Sequence, residues 1–95
     1  MNTQQFQDND KDYLKWVAEN PDGYVLNIQR SLNPGDSRLH RASCYTITGT
    51  PPSGGPWTGE YIKICSIMLG ALEDWARSKV GADIPGCGVC HPHDD

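Results

Sequence analysis

The sequence predicts an α+β domain: a small three-stranded antiparallel sheet with an N-terminal helix and a longer C-terminal helix, stapled by a C-terminal Cys-x-x-Cys zinc knuckle. Three observations carry this prediction. Two segments place apolar residues at helical spacing, and they flank three extended segments bounded by turn residues. The stretch Cys87-Gly88-Val89-Cys90-His91-Pro92-His93 sets two thiols three residues apart around a glycine, so that both can face one ion about 2.3 Å from each sulfur. Two further cysteines, Cys44 and Cys65, stand upstream. The chain has 95 residues, of which 37% are hydrophobic and one is Phe, so a metal staple is a natural supplement to a small core.

Residues 1–8 are polar and without pattern, which predicts a disordered tail ahead of one small zinc-stabilised domain over 9–95. Asn9 or Asp10 can cap a first helix whose Tyr13, Leu14, Val17 and Ala18 form one stripe. It ends at Asn20-Pro21, because the residue before proline avoids the helical region. Beyond the Pro21-Asp22-Gly23 turn, Tyr24 to Arg30 alternates with Tyr24, Leu26 and Ile28 on one face, the pattern of a half-buried strand. Dense turn residues from Ser31 to Ser37 then predict a hairpin to a second extended stretch that begins at Arg38.

Alternation falters between Arg38 and Thr48, where Arg41 and Ser43 share parity with Leu39, Tyr45 and Ile47. The expectation is a bulge or break near 41–44. The segment 49–59 holds seven Gly or Pro in eleven positions and is read as an exposed loop carrying Trp57. Glu60 to Cys65 is the third strand. Pairing Ile62 with Ile47 and Ile64 with Tyr45 would set Cys44 opposite Cys65 on the other face. Ser66 then caps the main packing helix, with Leu69, Leu72, Trp75, Ala76 and Val80 on its apolar stripe and Gly81 as its stop.

From this register the predicted metal ligands are Cys44, Cys65, Cys87 and Cys90, with His91 in reserve, and the predicted ion is zinc. His40 lies four residues before Cys44. Along an extended strand that spacing separates their Cα atoms by about 13 Å, which removes His40 from the ligand set unless the break folds the strand back. Disulfides or free thiols, thiol redox catalysis and c-type haem attachment through Cys-x-x-Cys-His are the competing readings of the cysteines. Redox chemistry is disfavoured because the pair does not open a helix in a βαβ unit. Haem attachment is disfavoured because no export signal precedes the motif.

Net charge is −4, with five acids before Tyr24 and three after Ala82, so that residues 24–82 carry six basic residues against four acids. A mildly basic body permits nucleic-acid contact without requiring it. The predicted function is a small interaction module with a structural metal that recognises nucleic acid or a protein through Arg38, His40, Arg41, Trp57, Tyr61 and Lys63. The alternatives are a small metal- or thiol-dependent enzyme of nuclease or redox type, and a purely structural accessory domain. No phosphate-binding glycine loop, nucleophile elbow or zinc-protease motif is present. No segment approaches the roughly 20 apolar residues of a membrane span, and the expected location is cytoplasmic.

Overall fold

The computed structural model describes residues 3–49 and 55–93. The first regular element is a strand, β1 (Gln4–Phe6), in the segment expected to be a tail. Its anchor is Phe6, a lone aromatic that buries itself against Tyr13 with ring centroids 6.1 Å apart. Helix α1 (Asp10–Glu19) starts where the capping argument put it. The Asn9 side chain accepts the Asp12 N–H at 3.2 Å, and Tyr13, Trp16 and Val17 form its buried stripe. Strand β2 (Tyr24–Gln29) turns through a short 3-10 turn at Pro34–Asp36 into β3 (Arg38–Arg41), the predicted hairpin.

Two further elements complete the fold. Strand β4 (Tyr61–Ser66) precedes helix α2 (Leu69–Lys79). The helix begins slightly later than expected: Met68 is its cap residue, and Ser66 accepts the Met68 N–H at 3.1 Å without capping the helix proper. Gly81 adopts a φ of 80° and donates its N–H to Ala76, the left-handed ending that glycine allows.

The sheet has four strands rather than three, ordered β1-β4-β2-β3 and antiparallel throughout. The expected pairing of residues 44–47 with β4 does not form, because β2 and β1 occupy the two edges of β4. Cys65 stands opposite Val25 on one side and Gln4 on the other. After Arg41 the chain leaves the sheet in a tight turn, with the Cys44 N–H bonded to the Arg41 carbonyl at 2.9 Å, and Tyr45–Ile47 coils into a 3-10 turn. Tyr13 holds that turn from α1 through a 2.6 Å hydrogen bond to the Ile47 carbonyl.

The helices lie on opposite faces of the sheet. Leu26, Ile28, Leu39, Ile62 and Ile64 pack against Leu72 and Ala76 of α2, with Ile84. Phe6, Val25 and Cys65 pack against Tyr13, Trp16 and Val17 of α1. Strict period-two alternation in β2 and β4 is therefore a two-core pattern, each parity feeding a separate layer. On the α1 side Lys63 is buried beneath Tyr13 and Trp57, its ammonium bonded to the Trp57 carbonyl. Asp10 secures the same corner by accepting the backbone N–H groups of Trp57 (2.8 Å) and Thr58 (2.9 Å) and the Thr58 hydroxyl (2.6 Å).

Past α2 the chain returns along the outer edge of β3. The Leu39 N–H donates to Pro85 at 2.9 Å, and the Leu39 carbonyl accepts the Cys87 N–H at 2.8 Å, forming a one-residue parallel bridge. A side chain at Gly86 would bring a Cβ to 2.9 Å from His93 Nδ1 and 3.3 Å from the Pro92 ring, so a larger residue here would have to displace the His93 side chain.

Candidate metal centre

The end of β3, the turn that follows it and the returning C-terminal segment converge on one point. His40 lies opposite Val25 and so faces the α1 side, toward which the 42–44 turn folds Cys44 back. The Leu39 bridge delivers Cys87 to the same place, and a tight turn closed by the His91 N–H on the Cys87 carbonyl (3.0 Å) brings Cys90 beside it. One ligand atom from each of His40, Cys44, Cys87 and Cys90 lies within 4.8 Å of every other. A tetrahedral ion with bonds of about 2.3 Å has ligand edges of about 3.8 Å, so no pair needs to close by more than about 1 Å. These four residues are positioned to bind one metal ion.

The local electrostatics match that role. His40 is 6% exposed, and its Nδ1 is the one buried side-chain nitrogen or oxygen among the described residues without a hydrogen-bond partner. An orphaned imidazole nitrogen inside a domain carries a desolvation cost that a metal bond would remove. Burial, aided by the charges of Lys63 and Arg38, holds the imidazole down to about 4 and so keeps it in the neutral form that a metal requires. The thiols differ among themselves. Burial tends to raise Cys87, but hydrogen bonds from the backbone of Cys90 and Val89 and from the Cys90 and Cys44 side chains outweigh it, leaving Cys87 below the ordinary thiol value. Cys90 is pushed up to about 12, chiefly by burial and then by its thiol neighbours, against the lowering effect of the Arg41 N–H. A cation shared with the neighbouring sulfurs would offset what raises Cys90 and favour its thiolate.

Backbone and side-chain donors already surround the sulfurs. The Val89 N–H donates to Cys87 Sγ and the Arg41 N–H to Cys90 Sγ, both at 3.3 Å, while Cys44 Sγ lies 2.9 Å from the Thr46 hydroxyl. The Arg41 guanidinium donates to the Cys90 carbonyl at 2.9 Å and to the His91 carbonyl at 3.0 Å. The arginine that sat awkwardly in the sequence pattern is thus the residue that grips the returning segment.

Two predicted ligands lie elsewhere. Cys65 is not in the group; it is fully buried in the α1-side core, and burial raises its thiol well above the usual range, partly opposed by Lys63. His91, the reserve, is exposed at a left-handed φ of 48°, and its side chain is outside the four-residue group. His40 takes the place expected for Cys65. The estimate of about 13 Å between His40 and Cys44 assumed a continuous strand, and the break at 41–44 voids it. That break was visible in the faltering alternation, and it was the signal that could have found the ligand.

The predicted partner-contacting residues are dispersed. Arg38 is exposed, with its guanidinium bonded to the Ser37 carbonyl at 2.6 Å, and Tyr61 is half-buried, 3.4 Å from Asp36. His40 and Lys63 are interior. Trp57, expected in an exposed loop, is 8% exposed: its indole N–H bonds to the Gly49 carbonyl and its backbone N–H to Asp10, so the loop end is fastened to α1. Residues 50–54 of that loop lie outside the described residues. A groove of about 660 Å³ runs between α1 and β1, and none of the four clustered residues lines it. Among the described residues no helix is long and apolar enough to cross a membrane.

No protein-family model, no curated protein and no solved structure matches this chain.

Proposed function

We propose that the chain is a zinc-stapled interaction module in which zinc is structural and His40, Cys44, Cys87 and Cys90 are its ligands. The observation that carries this reading is the convergence of four ligand atoms within 4.8 Å, one of them on a buried histidine with an unpartnered nitrogen. Three thiolates and one imidazole suit a borderline-soft ion, whereas magnesium and calcium prefer oxygen. Four protein ligands fill a tetrahedron. A catalytic zinc keeps one position for water or substrate, so a full shell favours a structural role.

For the partner, a protein is favoured over nucleic acid. The chain is net −4, and two of the four basic candidate contacts, His40 and Lys63, are interior, as is Trp57. Apolar groups are instead exposed beside the ligands: Tyr45, 75% exposed, follows Cys44, and Val89, 50% exposed, precedes Cys90. Metal analysis of freshly purified protein should give one zinc per chain. Binding to random oligonucleotides should be absent at moderate salt; steeply salt-dependent binding would restore the nucleic-acid reading.

A further inference from the structure

We propose that Arg41 is the positioning residue of this metal centre, acting by holding Cys90 in place as a ligand. The proposal rests on the zinc reading above. The ligands fall into a body half, His40 and Cys44, and a returning half, Cys87 and Cys90. Cys87 is fixed by the backbone bridge to Leu39. Cys90 is three residues farther along, and the bonds from Val89 to Cys87 Sγ and from His91 to the Cys87 carbonyl are internal to its own turn. Those two bonds shape the turn without attaching it to the sheet.

Arg41 joins the turn to the sheet through its backbone N–H to Cys90 Sγ, its Nε to the Cys90 carbonyl and its Nη2 to the His91 carbonyl, while farther along His93 lies 3.4 Å from Glu73 of α2. The Arg41 backbone is anchored in the sheet opposite Tyr24, so the clamp has a rigid base. The two carbonyls are consecutive, and a planar guanidinium can span both at once while an ammonium acts as a point donor. Its charge also offsets the net −1 of a zinc ion bound by three thiolates and a neutral imidazole. Partners of this kind orient ligands and set affinity without touching the metal.

The test uses zinc-loaded full-length protein, with Arg41→Ala and Arg41→Lys beside the wild type. Zinc affinity is measured by chelator competition, and the alkylation rate of each cysteine is followed by mass spectrometry. Arg41→Ala should bind zinc about ten- to a hundred-fold more weakly. In its zinc-loaded form Cys90 should become reactive first, while Cys44, Cys87 and the remote Cys65 stay protected. Arg41→Lys should recover only part of the affinity. Wild-type affinity in Arg41→Ala, or reactivity that rises equally at Cys65, would overturn the proposal by making Arg41 idle or merely a fold residue. If Arg41→Ala does not fold, Arg41→Lys decides: weaker zinc with selective Cys90 reactivity supports the role, and unchanged affinity refutes it. A wild type that takes up no zinc removes the underlying reading as well, an outcome distinct from a wild type that binds zinc beside an indifferent Arg41 variant.

Discussion

Exchanging the roles of two buried residues separates the competing ligand sets. Cys65→Ala removes a thiol that the sequence pattern offers as a ligand and the structure puts in the α1-side core; His40→Ala removes an imidazole with the opposite history. Apparent free energies for structural zinc run about 10–16 kcal/mol, so at roughly 1 µM free zinc the ion adds about 2–8 kcal/mol to stability. A domain of this size has about 5–14 kcal/mol in total. At about 4–8 °C per kcal/mol, stripping zinc from the wild type should lower the melting temperature by at least about 8 °C. His40→Ala should bind zinc more than about 100-fold more weakly and melt near the stripped wild type, with little further response to chelator. Cys65→Ala should keep one zinc per chain and its full chelator response, losing only packing, about 1–2 kcal/mol. The assay is zinc content and thermal melting with and without chelator. A Cys65→Ala protein without zinc, beside a His40→Ala protein with zinc, would refute the reasoning; so would a wild type indifferent to chelator.

Acid should release the metal. His40 sits at about 4 in the fold against about 6.5 unfolded, so the unfolded chain binds the extra proton and stability falls as pH drops from about 6.5 to 4, by up to about 3 kcal/mol. Proton competition for the three thiolates acts in the same direction, and bound zinc followed from pH 7.5 to 4.5 should show a falling curve that a pH-independent zinc content would contradict. Trp57→Ala should cost about 3–5 kcal/mol in chemical denaturation rather than the half kcal/mol of a surface site, and amide exchange at Trp57 and Thr58 should be slow. Asp10→Ala removes the acceptor for both of those N–H groups and should destabilise by about 1–3 kcal/mol while leaving zinc content unchanged.

The elements read most readily from the sequence were those with local causes. Asn9 capping α1, the Pro34-Gly35 turn of the hairpin and the stop at Gly81 each depend on a few neighbouring residues, and each appears where local chemistry requires it. What escaped was decided by partners far along the chain. Gln4–Phe6 has too little pattern to announce a strand, and becomes one because β4 offers an open edge and α1 a place for Phe6. Cys65 looked like a ligand under one plausible register, but β2 pairs with all six residues of β4, a longer match than 44–47 could offer. Lys63 and Trp57 looked external by residue type, yet a carbonyl, two aromatic faces and the Asp10 carboxylate satisfy them inside.

The sheet is bounded by the two end segments of the described chain: β1 runs along β4 at one edge, and residues 85–87 run along β3 at the other. Tension applied between residues 4 and 93 would therefore pull across the strands, in the direction of the hydrogen bonds that join them. Such a load peels a ladder open one bond at a time instead of shearing many together, so the N-terminal side should yield at low force. At the other end the path from residue 93 meets the Arg41 bonds to the His91 and Cys90 carbonyls, and an ion held by the four clustered residues would add its bonds to Cys90 and Cys87. A bound ion would therefore make the domain mechanically lopsided, soft where it is entered from β1 and braced where it is entered from the cysteines, and chelation would leave that second end to the Arg41 clamp and the Leu39 bridge.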